Sequence, residues 1–496
     1  MALAFAAVET ERPGLDWHKR GWQEQAMRTA IIGGGIAGLA AAYELGKAGA
    51  EYTLFEAGSR LGGVISSAMV SGSALEDGPD SFLSEKPAAA ELCRELGLGE
   101  ELIPSNDAER KTWIVAGKRL VSLPDGLMFL IPTKLMPTAM TPLFSLGTKI
   151  RMGLELLHPP RRGEADESVA ALVERHYGAE VVDRLAGPLL SGIYGGEADQ
   201  LSARAVLPRL VEMEAKYGSL TRAMLAGTRR AGNVSAGGAK RSIFTTLRGG
   251  LQRMIDTLAA RLDPAAILLN TPVRLLERVA EGWKVTSARG SQESTSEIFD
   301  AVIVAAPAWA AADLLRTVDA PLGEELAGIP YSSSIAVNLV YDEERLGALP
   351  EGFGFLVPAS AGRAMLACTF AHRKFLGRTA PGKAVLRAFL GGMRNAALLD
   401  QPDEVLITTT RRELSEILGS RVVGLHIEPE ETRVSRWPRA MAQYAVGHLG
   451  RVARIREHVA ALPGLHLAGN AYDGIGISDC IRLGRKAARE IAAVAN

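Results

Sequence analysis

Six residues constrain this chain more than any others: Gly33-Gly34-Gly35-Ile36-Ala37-Gly38, set between an apolar run (Arg28–Ile32) and a helical pattern, LAAAYELGKAG. Gly33, Gly35 and Gly38 form G-x-G-x-x-G in a strand–turn–helix context. A second strand, EYTLFE, follows and ends at Glu56, 18 residues after Gly38. Each part has a physical job in holding a dinucleotide. Gly33 permits the tight turn, Gly35 lets backbone approach a pyrophosphate, and Gly38 lets helix and strand pack closely. The helix N-terminus faces the anion. Glu56 can accept both hydrogens of a ribose diol and would repel a 2′-phosphate. NAD and FAD both satisfy this pattern.

At 496 residues the chain is too long for one ordinary core, so two or three domains are expected. Its 47% hydrophobic and 23% charged residues are those of a folded globular protein. Zero formal net charge argues against nucleic acid as a partner. Cys93, Cys368 and Cys480 are scattered without a CxxC pair, which excludes a cysteine-based zinc site and suits a reducing, cytoplasmic compartment. Residues 1–26 lack periodicity and a basic leader, and read as a poorly ordered extension before the first strand. No stretch reaches the ~18–20 apolar residues of a spanning helix. The nearest, residues 126–147, is broken by Pro132, Pro137, Pro142 and Lys134. It reads as a core or cavity wall, or as a surface that touches a membrane or takes up a large apolar ligand.

The stretch from Glu56 to Gly63, EAGSRLGG, chooses between the cofactors. An acid followed by R-x-G-G extends the anion cradle, with Arg60 and the amides of Gly62 and Gly63 available to a pyrophosphate. It resembles the flavin amine oxidase superfamily, whose FAD lies extended along such a path. The resemblance implies an α/β chain: a discontinuous Rossmann-type FAD-binding domain, a mostly antiparallel-sheet substrate domain and a helical inserted lobe. The expected division is 27–85, 241–310 and 436–496 for FAD, 86–117 and 311–435 for substrate, and 118–240 for the lobe, a region for membrane contact or a substrate cavity. AGNVSAGGAK (231–240) reads as a loop at the lobe's border, VIVAAP as a core strand, and IAVNLVYD and AVLRAFLGG as substrate-sheet strands. Val273, in NTPVRLLE, matches the position where the superfamily holds the adenine through main-chain contacts.

Four separated stretches narrow the resemblance: LEDGPDSFLSEKP, GPLLSGIYGGEADQLSA, RWPRAMAQYAVGHL and GNAYDGIGISDCIRLG. Together they resemble the oxygen-dependent protoporphyrinogen/coproporphyrinogen oxidases, FAD enzymes of haem biosynthesis. Ala442 stands where that family usually has proline. The resemblance implies a six-electron oxidation of a porphyrinogen, in three two-electron steps, each returned to O2 as hydrogen peroxide. Non-covalent FAD carries the chemistry, so no catalytic side chain is assigned. Gly192 matches a position where backbone lines the macrocycle, and Arg119 is a propionate partner or a solvated charge. Tyr194 is pocket wall or core. No metal constellation is evident among the eight histidines, and His176, His372 and His448 read as surface or structural groups. At the C-terminal end, Gly469 and Asn470 run beside the pyrophosphate or ribityl chain. A helix capped by Ser478 or Asp479 then presents the amides of Gly476 and Ile477 to the flavin's N1–C2=O edge, with Gly474 giving the approach. Expected partners are a porphyrinogen, O2, a peripheral membrane surface and other haem-pathway enzymes.

Two further readings stay open. One is another superfamily enzyme, an amine oxidase or carotenoid desaturase, although aromatic content is only 5% and Gly469-Asn470 replaces the GE-type stretch expected of amine oxidases. The other is a non-catalytic porphyrin carrier, which should have lost the flavin-facing elements. The residues do not choose between protoporphyrinogen and coproporphyrinogen.

Overall fold

The computed structural model describes residues 27–495 apart from 118, 125, 126, 129, 130, 133, 162, 164, 233–241, 289–293, 420 and 421. The expectations for residues 1–26 and for most of AGNVSAGGAK lie outside them.

Arg28–Ile32 is the apolar centre of a five-stranded parallel sheet. The order is Ile267–Leu268, Glu51–Phe55, Arg28–Ile32, Ala301–Val304, Leu465–Leu467. Ala30, Ile31 and Val302–Val304 are buried on both faces, which is why these strands are continuously apolar rather than alternating. From the central strand the chain moves first to one side and later to the other. That makes its carboxyl end the switch point where open α/β sheets bind ligands. The chain ends meet over this sheet. Helix Ile36–Lys47 packs on helix Ile477–Ala495 so closely that a Cβ at Gly484 would collide with the Ala37 carbonyl. Arg485 pairs with Glu95, and Arg489 with Glu44 at 2.8 Å.

A second, seven-stranded sheet runs Glu431–Ala442, Tyr331–Asp342, Lys383–Gly391, Met365–Phe370, Gly354–Leu356, Thr112–Ala116, Arg119–Ser122. All pairings are antiparallel except that of Gly354–Leu356 with Thr112–Ala116. Alternate residues Ile335, Val337, Leu339 and Tyr341 face a core completed by Leu406, Leu414 and Ile417 of helix Asp403–Leu418. From the opposite face Asn338 donates to the Glu76 carbonyl at 3.0 Å and Arg387 to that of Gly78. Here LEDGPDS buries its acids against cations of the sheet region. Asp77 accepts from Arg433 and Ser435, Asp80 pairs with Lys374 at 2.9 Å, and Glu76 pairs with Arg378.

The sequence-based border at 435/436 falls inside strand Glu431–Ala442, which belongs to the seven-stranded sheet along its length. Residues 86–104 likewise pack with the parallel-sheet core, through Ala89, Leu92, Cys93 and Leu98. We therefore propose that the nucleotide-binding unit keeps residues up to about 110 and resumes after Ala442. A helical lobe that includes Leu146–Leu154, Val169–Tyr177, Gly187–Tyr194, Pro208–Tyr217 and Leu220–Gly232 packs on the seven-stranded sheet through Ile114 and Leu356. Among the described residues no helix is long and apolar enough to cross a membrane.

Candidate functional site

At the carboxyl edge of the parallel sheet, three strand ends converge. Gly33 has φ 111°, and a Cβ there would sit 2.8 Å from the Ala305 carbonyl oxygen. A Cβ at Gly38 would collide with the Gly33 carbonyl. Both glycines are therefore required by the protein itself. Gly35 differs. Its backbone (φ −70°, ψ 176°) suits any residue, and a Cβ added there would meet no protein atom within 4 Å. A glycine with no internal reason, at the start of a helix that lacks a side-chain cap, serves something that approaches from outside.

The other predicted elements close around this turn. Glu56 Oε2 accepts the Gly34 N–H at 2.7 Å and Oε1 the Gly58 N–H at 2.6 Å, so the acid also braces the loop. Gly62 donates to the Gly34 carbonyl at 2.8 Å, and Gly63 lies against the Gly35 backbone. Arg60 is exposed; its guanidinium donates to the carbonyls of Leu61, Ile65 and Gly63 and lies 5.8 Å from the Trp437 ring. Asn270 and Thr271 donate to the Gly58 and Glu56 carbonyls at 2.9 Å each, which brings Val273 alongside the acid.

The C-terminal half arrives beside it. Ala468 donates to Val304, and Gly469 has φ 136°, where a Cβ would find only Ala306 O, at 3.9 Å. The Gly476 carbonyl accepts from Asp479 and Cys480 at 3.0 Å each, so Gly476 caps the helix that begins at Ile477. The expected cap, Ser478 or Asp479, is corrected: both lie inside the first turn. Ser478 Oγ instead serves a neighbouring element, donating to the Lys86 carbonyl at 2.9 Å and accepting from Ala89 N–H at 3.3 Å. Asp479 takes Lys86 Nζ at 2.6 Å. The amides of Gly476 and Ile477 remain at the positive end of a 19-residue helix.

Sequence reasoning gave no role to Tyr444 and Gln443, which help to hold this loop. Tyr444 Oη donates to the Asn470 carbonyl at 2.9 Å and accepts the Gly474 N–H at 2.7 Å. Its ring stacks on His448, with centroids 4.0 Å apart and planes at 12°. Asn470 Nδ2 reaches the Ala440 carbonyl at 3.0 Å. Gln443 Nε2 donates to the Tyr194 carbonyl at 2.6 Å and so ties the helix Gly187–Tyr194 to the same segment. Tyr194 is half-buried, 6.3 Å from the Tyr444 ring, and burial pushes its hydroxyl up to about 12. His176 and His448 are fully buried rather than surface groups, and His372 is half-buried.

The proposed substrate residues are not in contact. Gly192 is exposed, and a Cβ there would touch Leu356 at 3.5 Å. Arg119 is exposed on the outermost strand, two strands beyond Leu356, about 10 Å at ~4.8 Å per strand.

Comparison with known proteins now decides the family. The family model for flavin containing amine oxidoreductases matches residues 36–492. The chain belongs to that family. Its cofactor is FAD, and the glycines without an internal role fit it. The chain is 34% identical over 464 residues to a coproporphyrinogen III oxidase of Bacillus subtilis (strain 168), covering 92% of this chain and 96% of the relative. It is 32% identical over 482 residues to a protoporphyrinogen oxidase of Homo sapiens, covering 92% and 97%. A crystal structure from Exiguobacterium sp. 255-15, provisionally assigned as a protoporphyrinogen oxidase, superposes with a TM-score of 0.82 at 32% identity, covering 95% and 99%.

Proposed function

We propose that this flavoenzyme oxidises a porphyrinogen, coproporphyrinogen III or protoporphyrinogen IX, to the porphyrin in haem biosynthesis. The observation that carries the reading is near-full-length likeness, above 30% identity, to porphyrinogen oxidases of both names. Supporting it, Gln443 and Tyr444 tie the Gly192-bearing helix and the loop 470–474 into one wall. In this reading bound FAD supplies three two-electron oxidations, each returned to O2 as H2O2. The chain's own part is to bind and orient. The Gly35 and Gly63 backbone holds the pyrophosphate, the amides of Gly33, Gly34 and Gly62 being bonded within the turn itself, and Glu56 holds the ribose. The N-terminus of helix Ile477–Ala495 favours negative charge on the isoalloxazine edge. Gly192 and Leu356 lie against the flat macrocycle, and Arg119 pairs with a propionate at its rim.

The lobe exposes Met136, Met140, Leu146, Ile150, Leu154 and Leu157, the first three and the last more than 70% accessible. Lys149 and Arg151 lie among them in the sequence. This surface supports a peripheral membrane contact, checked by co-sedimentation with anionic vesicles. The activity itself is checked by incubating holoenzyme aerobically with each porphyrinogen and following porphyrin fluorescence. Formation of porphyrin from one or both is expected; none from either defeats the proposal.

A further inference from the structure

The helical lobe holds a histidine–carboxylate cluster that the flavin chemistry leaves unused. Its members come from three separate elements: His158 after the turn Glu155–Leu157, His176 on helix Val169–Tyr177, and Glu214 on helix Pro208–Tyr217. One ligand atom from each can be chosen so that all lie within 4.8 Å of one another. His176 and Glu214 are buried, and His158 is half-buried.

The groups that would orient these ligands are already in place. His176 Nδ1 sits 2.9 Å from Glu155 Oε1, and His158 Nδ1 sits 3.1 Å from the Pro159 carbonyl. With Nδ1–H given to these oxygens, Nε2 of each ring would be the coordinating atom, the ion replacing the proton that His176 Nε2 shares with Glu214; this is the arrangement that orients metal-bound histidines. Glu155 is itself fixed by Ser219 Oγ at 2.8 Å and by the N–H groups of Leu220 and Thr221. His176 Nε2 lies 3.2 Å from Glu214 Oε1. Two ligands on a tetrahedral ion with bonds of ~2.0–2.1 Å stand about 3.3 Å apart, the spacing of this pair, and the half-buried His158 ring, 4.3 Å from that of His176 and tilted by 32°, would turn to close on the ion.

Charge points the same way. Glu155, Glu214 and Glu167 face the cluster; among the described residues Arg175 reaches Glu167 and Glu214, the exposed Arg222 reaches the His158 carbonyl at 3.2 Å, and His176 itself bridges Glu155 and Glu214. Arg161, half-exposed, adds a contact to Glu167 at 3.3 Å. Glu155 has no guanidinium partner among its bonds, only His176 and neutral donors. Buried carboxylates in excess of cations favour an added positive charge.

We propose that His158, His176 and Glu214 form a binding site for a divalent transition-metal ion of the zinc class, with Glu155 as the positioning group for His176. Two imidazoles and one carboxylate are a ligand set for zinc, with water completing four-coordination on the half-exposed side. The ion staples the turn and two helices. Helix Val169–Tyr177 leads through the π-helical turn Val182–Ala186 into the helix that carries Gly192, so the metal braces the proposed substrate wall. The sequence hid this site because its ligands are 18 and 38 residues apart, with no short motif.

The test titrates metal-free holoenzyme with Zn2+, and with Co2+ as a spectroscopic probe, in wild type and His158→Ala. The half-exposed His158 can be removed while the buried His176–Glu155 pair stays intact, and flavin content checks the fold. The expected result is one Zn2+ per chain, a rise in Tm on binding, tetrahedral Co2+ bands, and affinity weaker in the variant by more than the roughly 10–100-fold that loss of an outer-shell partner costs. Absence of stoichiometric uptake by wild type overturns the proposal whatever the variant does. So does uptake of equal affinity in wild type and variant, which places the ion elsewhere. A Tm that ignores zinc and chelator also overturns it and leaves a proton shared by His176, Glu155 and Glu214 as the bridge.

Discussion

Replacing Tyr444 by Phe removes one oxygen atom and separates two accounts of the loop 470–474. The hydroxyl bonds the Asn470 carbonyl at 2.9 Å and the Gly474 N–H at 2.7 Å. The ring stays, with its stack on His448, so the change opens no large cavity. Two hydrogen bonds contribute about 1–3 kcal/mol together, counting the buried partners left unpaired. If the loop must be ordered to hold FAD, that loss appears in cofactor affinity as roughly a 5–150-fold weakening. The assay is reconstitution of apoprotein with FAD, followed by quenching of flavin fluorescence, beside the Tm of the apoprotein. FAD affinity within twofold of wild type, in a folded variant, would refute the reasoning. Equal losses of apo- and holoprotein stability would show that the hydroxyl only supports the fold.

Three further outcomes are expected. Gly35→Ala should leave apoprotein Tm unchanged, because its Cβ meets nothing within 4 Å, yet lower FAD retention at least tenfold; Gly38→Ala should destabilise the apoprotein itself through collision with the Gly33 carbonyl. Burial, reinforced by nearby Arg451 and opposed by a backbone bond to Tyr472, depresses the His448 imidazole to about 4. The unfolded chain takes that proton from about pH 6.5, so as pH falls from about 6.5 to about 4 the native state loses up to about 3 kcal/mol. Tm measured against pH should fall more gently in His448→Gln, and parallel profiles would remove this group from the account. Finally, with FAD held non-covalently and Cys480 buried as a protonated thiol, acid precipitation should leave a colourless pellet and a yellow supernatant; a yellow pellet would overturn the non-covalent assignment.

What was legible in the sequence was what is local. Gly33, Gly35 and Gly38 announce themselves because turn, close approach and helix start lie within six residues. Strands Arg28–Ile32 and Ala301–Val304 were readable because burial on both faces makes them apolar throughout. The residues that hold the site together were not readable, because their partners are remote. Lys86 meets Asp479 across 393 positions, and Arg433 meets Asp77 across 356. The misplaced cap has the same origin: Ser478 has a capping residue's chemistry, but its acceptor and donor belong to residues 86–89. The border at 435/436 falls inside Glu431–Ala442, an edge strand that pairs with Tyr331–Asp342 on both sides of Pro438. An edge strand tolerates that proline. Tyr444 was visible in the pattern QY…GH, but its role depends on a loop 26–30 residues further on.

The central claim is that this flavoenzyme removes six electrons from a porphyrinogen. The direct measurement is stoichiometric: porphyrin by fluorescence and hydrogen peroxide by a coupled assay, in the same aerobic reaction with purified holoenzyme. The account predicts three molecules of peroxide per porphyrin formed, and neither product from apoprotein. Flavin reduced by an amine, with peroxide but no porphyrin from either porphyrinogen, would contradict it.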